Sequence, residues 1–191
     1  MTHSPSHSVL LADIGEVLYT SSDIQRVVGE MGAAISREYA GQDPILVGAL
    51  KGVLYFMSDL LRAITIPVQV DFISISSYSA ASRDRGLVRL VKDLDTSITG
   101  RHVLFVEDVI DTGLTLNYIL RNLRLRHPAS IEVCTLFNKS QHRLIDVHCK
   151  YKGLDLPDRL VVGYGLDYRE KYRHLPFVGV LKPHVFGSRS K

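Results

Sequence analysis

Cysteine is scarce in this chain and long apolar runs are missing, and both absences narrow its class. Only two cysteines occur among 191 residues. Cys134 falls in a predicted strand and Cys149 in a polar stretch, and neither makes a C-x-x-C pair, which argues against a disulfide framework and for a reducing compartment. No run approaches the ~18 apolar residues that a membrane helix needs. Residues 1–8 are polar, with no apolar stretch behind a basic start, so they read as a disordered tail of a cytoplasmic protein with no membrane partner. Neither sign of charge dominates: 23 Lys and Arg against 20 Asp and Glu leave a net charge of +3. Basic residues group at Arg121, Arg124 and Arg126 without interleaved aromatics, which argues against a nucleic-acid partner. Internal repeats and low-complexity tracts are also missing.

What remains is 46% hydrophobic and long enough for one globular unit, residues 9–191, with a substantial core. Strand and helix patterns alternate. Val9–Leu18 contains a short strand, and Ser22 with Gln25 fits a capping box for a helix reaching about Ala40. Ile45–Leu50 reads as a buried strand. Leu54, Met57, Leu60, Leu61 and Ile64 carry helical spacing, which Pro67 ends. Val68–Ser76 alternates as a strand, a polar loop follows from Ser77 to Gly86, and Leu87–Val91 is the next strand. Leu116, Ile119, Leu120 and Leu123 line one face of a helix that stops before Pro128. Further strands fall at Ile131–Phe137, Lys150–Leu154, Leu160–Gly163 and Phe177–Leu181. This order predicts an α/β protein with a mainly parallel sheet flanked by helices, its tail and N-terminal segment forming a small cover over the sheet's carboxyl edge.

One segment carries the chemistry. Val103–Val106 is a continuous apolar strand, buried on both faces as in parallel sheets, and it leads into Glu107 and Asp108, which places the acids at its carboxyl end. Asp111-Thr112-Gly113-Leu114-Thr115 then opens a helix at Thr112 or Gly113, aiming free backbone N–H groups at an arriving anion. Gly113 permits a tight turn and a close approach to phosphate, and the Thr112 and Thr115 hydroxyls add donors. Glu107 and Asp108, ionised, suit a diol or a Mg²⁺ held between themselves and a diol. The arrangement suits a phosphorylated sugar.

The segment resembles the phosphoribosyl-pyrophosphate motif of type I phosphoribosyltransferases. Val47-Gly48-Ala49-Leu50-Lys51-Gly52, Ser76-Ser77-Tyr78, Leu136-Phe137-Asn138-Lys139 and Val161–Tyr168 occur in the order of that family, and the last two narrow the resemblance to its hypoxanthine-guanine branch, from about Val9 to Val185. The resemblance implies the type I phosphoribosyltransferase fold with a hood, and transfer of 5-phosphoribosyl from phosphoribosyl pyrophosphate to N9 of hypoxanthine or guanine. It gives Asp111 the role of general base toward N7, and the ribose and its 5′-phosphate to Glu107, Asp108, Thr112, Gly113, Leu114 and Thr115. Pyrophosphate falls to Lys51, Gly52, Ser77, Tyr78 and Arg173, with a cis peptide at Leu50-Lys51 and a lid at Ser77–Tyr78. The purine falls to Lys139 at O6, to Leu160, to Val161 and to Asp167. Mg²⁺ falls to Glu107, Asp108 and Asp167, and assembly into a homodimer or homotetramer is also implied.

Three positions depart from the family pattern. Leu160 stands where most relatives stack an aromatic residue on the purine, Asn138 stands where an acid is common, and Leu114 stands at a variable motif position. Two rival readings stay open: a xanthine-preferring transferase, and a non-catalytic regulator that senses phosphoribosyl pyrophosphate.

Overall fold

The computed structural model describes residues 11–77 and 88–187. Among them the elements run Ile14–Tyr19 (β1), Ser21–Glu38 (α1), Ile45–Leu50 (β2), Leu54–Ala63 (α2), Gln69–Ser77 (β3), Val88–Lys92 (β4), His102–Ile110 (β5), Leu114–Arg124 (α3), Ser130–Asn138 (β6), Tyr151–Asp155 (β7), Val161–Val162 (β8), Val178–Leu181 (β9) and Pro183–Phe186 (α4). The predicted tail at residues 1–8 and most of the predicted lid lie outside the described residues. No helix among the described residues is long and apolar enough to cross a membrane.

Alternation along the central strands dictates the layers. Ile45 and Val47 of β2 and Val103 and Phe105 of β5 pack to one side of the sheet, whereas Leu46, Leu104 and Val106 pack to the other. Both faces are therefore apolar and both need cover. Ile24, Val28 and Ile35 of α1 with Phe56, Met57 and Leu60 of α2 cover one face, and Leu116, Ile119, Leu120 and Leu123 of α3 cover the other. The main sheet has the order β4-β3-β2-β5-β6-β7; its strands are parallel except for β4, which runs antiparallel to β3 at one edge.

The chain leaves β2 toward β3 on one side and leaves β5 toward β6 on the other, so the winding reverses between these neighbours. Such a switch opens a crevice beyond the strands' carboxyl ends. A second sheet of order β1-β9-β8 has its own small core of Ile14, Val162, Tyr172, Leu175 and Leu181. Val161, Tyr164 and Leu166 beside it join the main core, and the Tyr164 hydroxyl donates to Asp59 Oδ2 of α2 at 2.7 Å, which fixes this hood to the body.

The cap of α1 differs from the expectation. Thr20, not Ser22, is the N-cap: its Oγ1 accepts from the Asp23 N–H at 3.2 Å while the Asp23 carboxylate accepts from the Thr20 N–H at 2.9 Å. Ser22 lies inside the helix, and Gln25 spends its amide on Asp59 of α2. The helix ends at Glu38, with Tyr39 as C-cap, short of Ala40.

Asp71 pins the β3–β4 hairpin. Its carboxylate is buried and accepts from the N–H groups of Phe72 at 2.7 Å and of Asp95 and Thr96 at 2.9 Å each, with Lys92 Nζ at 3.5 Å. Burial alone raises its pKa, but these donors outweigh burial and hold it below the ordinary value. The ionised carboxylate thus contributes stability above the unfolded aspartate pKa and loses it as pH falls through the depressed folded value. Asp71→Asn should cost about 1–3 kcal/mol in urea denaturation at neutral pH, and the gap to wild type should close as the solution is acidified through the aspartate range.

Candidate active site

The crevice at the winding switch is built from the segments that follow β2 and β5, and the predicted site residues converge there. Strand β5 does not stop at the acids: Glu107 pairs with Thr135, and pairing continues to Ile110 opposite Asn138. The acids expected at the strand's carboxyl end lie in its carboxyl-terminal half, and β5 continues two residues past them. Glu107 Oε2 is sealed from solvent with no hydrogen-bond partner, and burial together with the neighbouring Asp108 charge holds the Glu107 carboxyl well above the usual range. Burial likewise raises the Asp108 carboxyl, although the Val109 N–H donates to it at 2.8 Å and Arg173 lies near. Desolvation therefore works against the doubly ionised pair that the residue types alone suggest.

Beyond Ile110 the chain turns at Gly113, which has φ +80 and caps α3, so the helix opens at Leu114 rather than at Thr112 or Gly113. Only glycine fits here for a second reason: a Cβ at this position would lie 2.3 Å from the Ile145 carbonyl oxygen. Thr112 Oγ1 accepts from the Leu114 N–H at 3.4 Å. The first N–H groups of α3 have no intrahelical partners, and Thr115 and Leu116 in its first turn line a cavity at the crevice. Leu114 itself points outward and is half exposed, so its contribution is backbone.

Gly52 is another position in the crevice without room for a side chain. A Cβ there would lie 1.8 Å from Asp108 Oδ2, and a Cβ on Gly165 of the hood would lie 2.0 Å from the Gly52 carbonyl oxygen. The Lys51-Gly52 loop is thus clasped between the strand acid and the hood, and the Leu50-Lys51 peptide is cis. The Lys51 ammonium reaches Glu170 Oε2 at 2.9 Å. Glu170 also meets the Arg173 guanidinium at 3.3 Å, which in turn binds Asp167 at 2.8 Å and donates to the Gly165 carbonyl at 2.7 Å. These two cations hold the Glu170 carboxyl below its ordinary pKa, Lys51 first. Glu170 is absent from the predicted set, since nothing local marks it; its partner Lys51 is 119 positions away.

Two cavities meet at Asp108 and Asp111. One, of about 320 Å³, is lined by Lys139, Leu160, Val161, Leu166, Asp167 and Arg173 together with those acids. The other, of about 210 Å³, is lined by Glu107, Thr112, Gly113 and Thr115 with the same acids. The Lys139 ammonium donates to the Arg159 carbonyl at 3.2 Å, and Arg159 pairs with Glu16 of β1 at 2.6 Å, so the hood closes over the first cavity. Ser77 ends β3, and Tyr78 lies outside the described residues.

The carboxylates fit a hard cation such as Mg²⁺, and the unpartnered Glu107 oxygen is a donor in want of a partner. No group of three His, Cys, Asp or Glu side chains among the described residues forms a ready-made metal cage. Mg²⁺ suits that sparsity, because it retains waters and is usually held by one or two carboxylates plus substrate oxygens.

Known proteins resemble the chain over nearly its whole length. The model of the phosphoribosyl transferase domain matches residues 16–169. The hypoxanthine-guanine phosphoribosyltransferase of Mycobacterium avium is 48% identical over 180 residues, covering 91% of this chain and 89% of that protein, and the enzyme of the same name from Bacillus subtilis is 46% identical, covering 92% and 98%. A crystal structure of a hypoxanthine phosphoribosyltransferase from Staphylococcus aureus superposes with a TM-score of 0.89 at 44% identity, covering 93% of this chain and 97% of that one. Matched by the domain model over residues 16–169 and 48% identical to a curated relative over nine-tenths of its length, the chain belongs to the phosphoribosyl transferase domain family.

Proposed function

We propose that the protein is a hypoxanthine-guanine phosphoribosyltransferase of purine salvage, transferring 5-phosphoribosyl from phosphoribosyl pyrophosphate to N9 of the base and releasing IMP or GMP and pyrophosphate. The observation that carries this reading is the position of Asp111, which lines both cavities and so stands between a purine and a phosphoribosyl group.

In this reading the smaller cavity takes the ribose 5-phosphate. The Thr112–Thr115 loop and the start of α3 donate to the 5′-phosphate, and Glu107 and Asp108 accept from the ribose hydroxyls. Lys51, Gly52, Arg173 and the Ser77–Tyr78 segment hold the pyrophosphate. The larger cavity takes the base. Lys139 donates to the 6-oxo oxygen, a contact that adenine's 6-amino group cannot return. Leu160 covers the purine face, and Val161 and Asp167 flank its 2-position.

As the bond from the anomeric carbon to pyrophosphate breaks, its electron pair leaves with pyrophosphate and positive charge builds on the ribose ring. N9 then bonds to that carbon while Asp111 takes the N7 proton. Glu107, Asp108 and Asp167 are the residues to hold Mg²⁺, which when bound neutralises charge on the leaving pyrophosphate. In this reading the protein assembles into a homodimer or homotetramer and acts in the cytoplasm, as its resemblance to the family implies.

A panel of purine bases with phosphoribosyl pyrophosphate and Mg²⁺ tests the reading. Hypoxanthine and guanine should be converted and adenine left nearly untouched; equal use of adenine overturns the Lys139 readout, preferential use of xanthine favours the xanthine-directed alternative, and no conversion at all overturns the transfer reaction.

Asp111→Asn keeps the shape and removes the base, so the single-turnover rate should fall by roughly 10²–10⁴ with sugar-phosphate binding retained; a near-normal rate excludes the role. Leu160→Phe should strengthen guanine or hypoxanthine binding by about 0.5–1.5 kcal/mol, half the range typical of base stacking on an aromatic ring. Calorimetry should show phosphoribosyl pyrophosphate binding unchanged, because position 160 does not line the smaller cavity.

A further inference from the structure

The segment 139–145 lies against the Asp111 loop, and beyond Lys139 none of its residues has been given a role. Three successive carbonyls of the loop are held by it. The Ile110 carbonyl accepts from the Lys139 N–H at 2.9 Å and the Arg143 guanidinium at 3.2 Å, and the Asp111 carbonyl accepts from Arg143 Nε at 2.8 Å. The Thr112 carbonyl accepts from the N–H groups of Leu144 and Ile145 at 3.0 and 3.1 Å. In a trans peptide the carbonyl and the following N–H point in opposite directions. Anchoring the carbonyls of 110, 111 and 112 to this segment therefore turns the N–H groups of Asp111, Thr112 and Gly113 away from it, and these three residues line the smaller cavity. A run of N–H groups turned one way is a nest for an anion.

Arg143 is the one side chain in this anchorage, since the other donors are backbone N–H groups. Its guanidinium also donates to Asn138 Oδ1 at the end of β6, and Asn138 in turn donates to Asp155 Oδ1 at 2.7 Å, so the fork is itself braced by the sheet. We propose that Arg143 is a positioning residue for phosphoribosyl transfer: it sets the plane of the Asp111-Thr112 peptide, and thereby both the phosphate-facing N–H of Thr112 and the direction of the Asp111 carboxylate. This rests on the function proposed above. Lysine cannot replace it, because a single ammonium lacks the planar fork that reaches two successive carbonyls and Asn138 together.

The guanidinium also lines a separate cavity of about 320 Å³ with Ser140, Asp146 and His148, which gives a small cation access to its place from outside the active site. The test compares wild type with Arg143→Ala and Arg143→Lys. Arg143→Ala should raise the KM for phosphoribosyl pyrophosphate and lower the single-turnover rate, each about tenfold or more, the size expected for hydrogen bonds to a charged donor. The KM for the purine should stay within about twofold, because Lys139 keeps its own backbone anchor. Millimolar guanidinium should restore part of the Arg143→Ala rate, and Arg143→Lys should fall short of wild type with the same split between substrates.

A loss that follows the folded fraction alone, with both KM values unchanged, overturns the proposal, as does an equal rise in both. If Arg143→Ala fails to fold, Arg143→Lys decides by the same kinetic split. Calorimetric titration of phosphoribosyl pyrophosphate separates the two levels of inference: no base conversion by wild type overturns the transfer reading, whereas equal sugar-phosphate affinity in wild type and variant overturns the role of Arg143.

Discussion

Everything in the crevice depends on the contact in which the Gly52 backbone occupies the space beside the Asp108 carboxylate that a side chain would need. That approach joins the end of β2 to β5 across the winding switch, and Gly165 extends it to the hood by lying against the Gly52 carbonyl. A methyl group at position 165 meets the Gly52 carbonyl oxygen and one at 52 must displace the Asp108 carboxylate, so three parts of the chain far apart in sequence are registered by contacts that glycine permits. The cavities inherit their shape from this clasp, because Asp108 lines both.

The same approach has an electrostatic cost. Two adjacent acids in a strand packed on both faces lose water, and Glu107 gains no hydrogen bond in exchange for one of its oxygens. Each carboxyl is pushed toward its neutral form. That cost is confined to one short stretch, and the apolar faces of β2, β5 and β6 supply the burial that offsets it. The rest of the sheet is an orthodox parallel core, and the departure from burying only apolar groups is confined to the site.

Local signals were legible and distant ones were not. The bounds of β2 follow from an uninterrupted apolar run, and the Asp111–Thr115 loop from residue types adjacent in sequence. The α1 cap was misplaced because two candidates share the same spacing, and the deciding fact is that Asp59, on a different helix, claims Gln25. The acids were legible as lying at the carboxyl end of β5, but not that pairing with β6 continues past them to Ile110, which depends on a neighbouring strand. Glu170 and Arg143 could not be found from sequence: one meets a lysine 119 positions away, the other backbone carbonyls 32 and 33 positions away, and carbonyls carry no residue identity to read.

The Glu170 bridge has a consequence for selectivity. With the Glu170 carboxylate set between Lys51 and Arg173, an anion entering here exchanges with a fixed partner rather than with mobile salt. A monovalent ion such as chloride gains little from that exchange, since it trades one negative charge for another and gives up the tether's high local concentration. A polyanion that reaches both cations at once brings more charge than it displaces. An ion pair placed this way favours a ligand whose charge is multiple and correctly spaced over the single ions of the solvent.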